Sequence, residues 1–174
     1  MSEFCSSRIK LDFCKKIIIL FSKEEAYRIK KEFWISYGSY MKLQMNAEGL
    51  SINWVNYKTD IKGIFFRTDV ERKYAEVSIE ISHPDASVRE MIYEQFEEYE
   101  NVLHSYLGEE WVWTKNDQDE DGKEISTIKT SLENISIFRE ADWPNIISFL
   151  KSKMINLDEF WSDHKDSFEI FKNL

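Results

Sequence analysis

Asp69 and Glu80 come closest, by residue type and position, to a metal-dependent chemistry. They lie in the runs 63–69 and 74–82, which read as neighbouring strands. Two carboxylates on one face of such a pair could hold Mg²⁺ against a phosphodiester. That chemistry also asks for a lysine two positions beyond a strand-borne acid, to assist the attacking water. Ser82 stands two after Glu80, and Ser78 two after Glu76. Glu71-Arg72-Lys73 does spell acid-x-Lys, but in the expected turn between the strands, where side chains do not converge on the sheet. No cofactor is therefore expected, and Mg²⁺ enters only with a nuclease alternative that uses Asp69 and Glu80.

Arg67, Asp69, Glu76 and Glu80 fall on one face by strand alternation and form a candidate polar cluster. Cross-strand ion pairing on a solvated face accounts for it, whereas a pocket would use the planar fork of Arg67 to hold an anion. Trp54, Tyr57, Lys58 and Lys62 are the one stretch where basic residues interleave with aromatic ones, as in base-stacking surfaces. Core packing is the competing account, since most tryptophans sit on apolar periodic positions. Asp117, Asp119, Asp121 and Gly122 open like a calcium loop, but its twelfth position is Ile128, where a bidentate Glu is required. His83, His104 and His164 have no Cys or second His at ligand spacing, so they read as structural and no metal is expected. No phosphate-binding glycine loop occurs among only five Gly.

These residues belong to a 174-residue acidic chain with 23 Lys and Arg against 32 Asp and Glu, net −9, and pI near 5.0. Such a surface opposes a broad polyanion footprint, although a local basic patch is compatible with it. Twelve Phe, eight Tyr and six Trp, with two Pro, exclude collagen-like, linker-like and disordered classes. Cys5 and Cys14 form no CxxC pair, and the start resembles no signal peptide, so a cytoplasmic protein with reduced thiols is expected. The longest apolar run, Ile17 to Phe21, is five residues, against roughly 20 for a bilayer span. No membrane association is expected.

Residues 22–174 are expected to form one domain, preceded at 1–21 by an extension or an edge strand. Ser22 and Glu25 make a capping box, and Ala26, Ile29, Phe33, Tyr37 and Tyr40 give the following helix its apolar face to about Leu43. Runs at 51–57, 63–69 and 74–82 predict a three-stranded antiparallel meander. Ser87 with Glu90 predicts a second capping box, opening one helix that runs to a Gly108 stop. Segments 111–115 and 124–130 predict a hairpin. Asp142 as N-cap and Pro144 open a final helix to about Phe171, with a kink or a second helix expected near Asn156 to Asp158. The class is α+β, with one mainly antiparallel sheet and three main helices packed mostly on one face. The order helix, three strands, helix, strand is also the core order of the PD-(D/E)xK nuclease fold, here in degenerate form.

Eight segments carry a wider resemblance: Lys31-Glu-Phe-Trp34, Ala47-Glu-Gly-Leu-Ser-Ile-Asn-Trp-Val-Asn-Tyr-Lys58, Ile64-Phe-Phe-Arg-Thr-Asp69, Glu94-Gln-Phe-Glu-Glu98, Gly108-Glu-Glu-Trp-Val-Trp113, Ser136-Ile-Phe138, Asp142-Trp-Pro144 and Asp158-Glu-Phe-Trp161. Spread over residues 24 to about 170, they resemble the DUF4268 family, a bacterial domain of unknown function. Family members occur alone or within longer proteins, some resembling restriction-type nucleases. The resemblance implies a binding or accessory module in genome defence or nucleic-acid metabolism, with no assigned catalysis. The alternatives are a divergent Mg²⁺ nuclease and a homo-oligomeric scaffold, whose partner would be a second copy.

Overall fold

Helix α1 (Lys23–Met41) starts where its capping box requires: Ser22 Oγ accepts from the Glu25 amide at 3.1 Å, and Glu25 Oε2 accepts from the Ser22 amide at 3.0 Å. The computed structural model describes residues 22–174, so the expected extension or strand at 1–21, with both cysteines, lies outside the described residues. Phe33, Tyr37 and Met41 form the buried stripe of α1.

The first expected strand, 51–57, is not a strand. Asn53 Oδ1 accepts from the Asn56 amide at 3.1 Å and winds Trp54–Asn56 into a 3₁₀ turn. The buried Trp54 indole then donates to the Gln44 carbonyl at 3.1 Å. Local side-chain bonding overrides the alternating pattern here, and β1 (Ile64–Val70) becomes a sheet edge.

β1 and β2 (Tyr74–Ile81) form an antiparallel hairpin, and β3 (Val112–Gln118) and β4 (Glu124–Glu133) form another. β2 pairs with β4 antiparallel, which gives the order β1-β2-β4-β3. A helical connection separates the hairpins. Asp85 is its N-cap, accepting from the Ser87 amide at 2.8 Å, so the expected Ser87 capping box is not the one used. The expected single helix is two, α2 (Ala86–Glu98) and α3 (Glu100–Leu107), broken at Tyr99. Gly108 stops α3 with φ 71°.

α4 (Trp143–His164) is one continuous helix through the expected division near Asn156 to Asp158, and then tightens into a 3₁₀ stretch, Lys165–Phe171. Asp142 precedes α4 but does not cap it, because its Oδ2 is taken by the Ser136 amide at 2.8 Å and by Arg139 Nε at 2.6 Å. Ala75, Val77, Ile79 and Ile81 of β2, with Ile128 of β4, are fully buried on the face that α2 and α4 cover. The Trp161 ring meets Phe66 of β1 edge-on at 5.5 Å and joins α4 to that layer. The molecule is thus α+β, with four α-helices and one four-stranded antiparallel sheet among the described residues.

Candidate functional site

Alternation along β1 and β2 puts Phe65, Arg67 and Asp69 beside Glu76, Ser78 and Glu80 on the face away from the helices, as expected. Two of the three acids are paired with a cation. Arg67 Nε lies 3.5 Å from Glu80 and its guanidinium 4.4 Å over the Phe65 ring. Lys129 of β4 holds Glu76 at 3.1 Å. Asp69 stands directly opposite Glu76, while Glu80 stands opposite Phe65. Asp69 and Glu80 therefore share a face but sit four register positions apart, or about 13 Å at the strand rise. Asp69 is further committed, accepting from the Val70 amide at 2.8 Å and from the Tyr74 hydroxyl at 2.9 Å. Glu71-Arg72-Lys73 lies in the hairpin turn, where Glu71 pairs with Lys30 and Arg72 covers Phe138.

Among the described residues, no three His, Cys, Asp or Glu side chains gather as a metal site. In the β3–β4 turn Asp119 Oδ1 accepts from the Asp121 and Lys123 amides at 3.0 and 2.8 Å, so it holds the turn. Asp117 Oδ2 accepts from the Thr127 hydroxyl at 3.0 Å. Ile128, at the position a calcium loop would close, is in the core. His83 accepts from the Asp85 amide at 3.1 Å, His104 accepts from the Trp113 indole at 3.2 Å, and His164 lies among the rings of Tyr99, Tyr106 and Phe160. The basic and aromatic stretch divides. Trp54 and Tyr57 face inward, with Tyr57 stacked on Phe66 at 5.1 Å, and only Lys58 and Lys62 remain exposed.

A cleft of about 350 Å³ between segment 46–60 and α4 is the site that residue typing did not anticipate. Its floor is Asp158, a carboxylate with 2% exposure on the apolar stripe of α4. Asp158 Oδ1 accepts from the Tyr57 hydroxyl and Oδ2 from the Ala47 amide, both at 2.6 Å. Burial, and then the Asp158 carboxylate, push the Tyr57 hydroxyl far above its ordinary pKa, so it stays a donor. Trp161, one turn further, donates to the Thr59 carbonyl at 3.2 Å and pins the other end of the segment. Around this floor stand Asn46, Asn53, Asn56 and Lys58, and the ion pair of Glu48 with Lys165. The segments 47–58 and 158–161, far apart in the chain, meet here. The signal available beforehand was a carboxylate four residues after Met154, on a face otherwise built from Leu150, Leu157 and Trp161.

The fold and cleft define a two-layer α+β protein with a buried, hydrogen-bonded carboxylate at the base of its cleft. A family model described as a domain of unknown function, DUF4268, matches residues 29–165, well over half of the chain, and the chain belongs to that family. No curated protein and no solved structure matches it.

Proposed function

We propose that this chain is a non-catalytic accessory module that binds another polypeptide through the cleft between segment 46–60 and α4. The carrying observation is the Asp158 floor, which fixes a rigid polar recess while leaving side-chain amides at its rim. Asn46 and Asn53 spend their Oδ1 atoms on the Leu50 and Asn56 amides and keep their N–H donors. Mixed donors and acceptors of this kind complement a peptide backbone. The net charge of −9 works against a polyanion partner. A genome-defence or nucleic-acid context follows from family association alone. The nuclease alternative has less support, since Asp69 and Glu80 do not converge.

The test uses the proteins encoded beside this reading frame, mixed with the purified chain and followed by titration calorimetry. A partner should bind the wild type and lose at least about tenfold in affinity on Asn56→Arg. Binding unaffected by Asn56→Arg and Lys58→Glu would move the site elsewhere. Salt-sensitive binding of single-stranded DNA that disappears in Lys58→Glu, Lys62→Glu would replace the polypeptide reading with a nucleic-acid contact.

A further inference from the structure

Segment 56–62 passes beside the start of β1 and encloses with it a second recess of about 290 Å³, whose charged lining is Lys58, Asp60, Lys62 and Arg67. The backbone here is held from within. Thr59 is 7% exposed, its hydroxyl donates to the Ile64 carbonyl at 2.7 Å, and its carbonyl accepts from the Trp161 indole at 3.2 Å. Ile61 is buried as well, and its carbonyl accepts from the Ile64 amide at 3.3 Å. With Thr59 and Ile61 buried, Lys58 and Lys62 are left exposed to solvent, as is Arg67 on the outer sheet face, whose side chain is 50% exposed.

All three cations keep free donors. Lys58 makes no ion pair or hydrogen bond among the described residues, and Lys62 spends one N–H on the Leu174 carbonyl. Arg67 meets Glu80 through Nε at 3.5 Å and lies over Phe65, so both terminal nitrogens are without a carboxylate. Asp60 is the one acid among the described lining residues, and it also lines the neighbouring cleft, as Lys165 does. Like charges around one recess repel one another, and a bound anion relieves that repulsion.

We propose that this recess binds a phosphoryl group. The planar fork of Arg67 suits two of its oxygens and the two ammonium groups suit the third, so every oxygen and both negative charges find a partner. A carboxylate offers the same three cations only two oxygens and one charge. The positive field is also short. Glu80, Asp69 and Glu76 share the sheet face of Arg67, and Asp60 and Glu48 line the cleft on the other side of the segment, so acids flank the recess. One compact dianion fits such a field, whereas the successive phosphates of a nucleic-acid strand would run onto carboxylates. The recess is distinct from the cleft proposed above for a polypeptide, although residues 56–60 line both. The phosphoryl group therefore has two sources, a modified side chain of that polypeptide or a free phosphorylated small molecule.

Titration of the purified chain with inorganic phosphate at constant ionic strength, followed by amide NMR shifts, tests the proposal, with circular dichroism confirming that each variant folds. Saturable shifts centred on residues 58–62 and 65–67 are expected, with a dissociation constant of about 1 mM. Lys58→Glu and Arg67→Gln should each weaken binding at least about tenfold. Lys23→Glu, the same charge change at the start of α1, should leave it unaltered. Parallel titrations with N-acetyl-phosphoserine amide and glycerol 3-phosphate separate the two sources: the tighter ligand names the carrier, and either supports the site. Phosphate shifts that do not saturate by about 20 mM overturn the proposal, and so do equal losses in all three variants, which would report net charge alone. Affinity for single-stranded oligonucleotides that grows with strand length also overturns it, replacing a single-anion site with a nucleic-acid track.

Discussion

Tyr57 and Asp158, 101 residues apart, share a hydrogen bond of 2.6 Å that ties the irregular 46–60 segment to the middle of α4. A buried carboxylate without a cation is costly unless its oxygens are satisfied, and here the two donors both come from that segment. The segment and the acid stabilise each other, and the cleft exists because of this exchange.

Asp158→Ala is expected to cost about 3 kcal/mol, because it leaves the Ala47 amide and the Tyr57 hydroxyl without an acceptor. Tyr57→Phe should cost about 1.5 kcal/mol, because one carboxylate oxygen keeps its donor. Urea unfolding of both variants and of the double variant measures the coupling. Additive losses would mean that the bond holds nothing in place.

Alkaline pH should unfold the protein through its tyrosines. Burial raises the pKa of Tyr37, and burial with Asp158 raises that of Tyr57, so both stay protonated in the fold. The unfolded chain ionises near pH 10, so unfolding releases protons above that value and stability falls as pH rises. Below it the contribution is fully present. Denaturant midpoints from pH 8 upward should decline past about pH 10, and Tyr57→Phe should shallow the decline.

Gly63→Ala should destabilise by about 2–3 kcal/mol. Its φ is +83°, and an added Cβ would stand 3.0 Å from His83 Cβ and 3.2 Å from His83 Cα. Gly122→Ala shares the positive φ but meets nothing within 4 Å, so about 1 kcal/mol is expected there. Thermal melts of the two variants separate steric contact from backbone strain.

Ca²⁺ should not bind the β3–β4 turn with a dissociation constant near 10⁻⁶ M or tighter. Asp119 already serves two turn amides, and the closing position is a core isoleucine. Calorimetric titration of the wild type checks this, with Asp119→Asn as the control that must abolish any signal seen.

Mg²⁺ or Mn²⁺ should support no cleavage of DNA or RNA by the purified chain. Carboxylates about 13 Å apart along a sheet cannot ligate one ion, and Ser82 stands where an assisting lysine is needed. Cleavage that vanishes in both Asp69→Asn and Glu80→Gln would reverse the ranking of functions.

The period of apolar residues determined much of this protein before any coordinates. The α1 capping box, the inward Ile79 and Ile81, the outward Asp69 and Glu80, the Gly108 stop and the β3–β4 hairpin all follow from local rules that act within a few residues. The same alternation misled at 51–57, where a short Asn53 side chain outcompetes a ladder bond and makes a turn. It also gave one helix where Tyr99 divides two, and it did not settle whether α4 continues past Asn156, since packing between elements sets both. The cleft was invisible for a further reason. Asp158 reads as a charged interruption of an apolar stripe until tertiary structure brings the Ala47 amide and Tyr57 hydroxyl to it. Sequence alternation places a side chain on a face, but only the fold decides which distant donor meets it there.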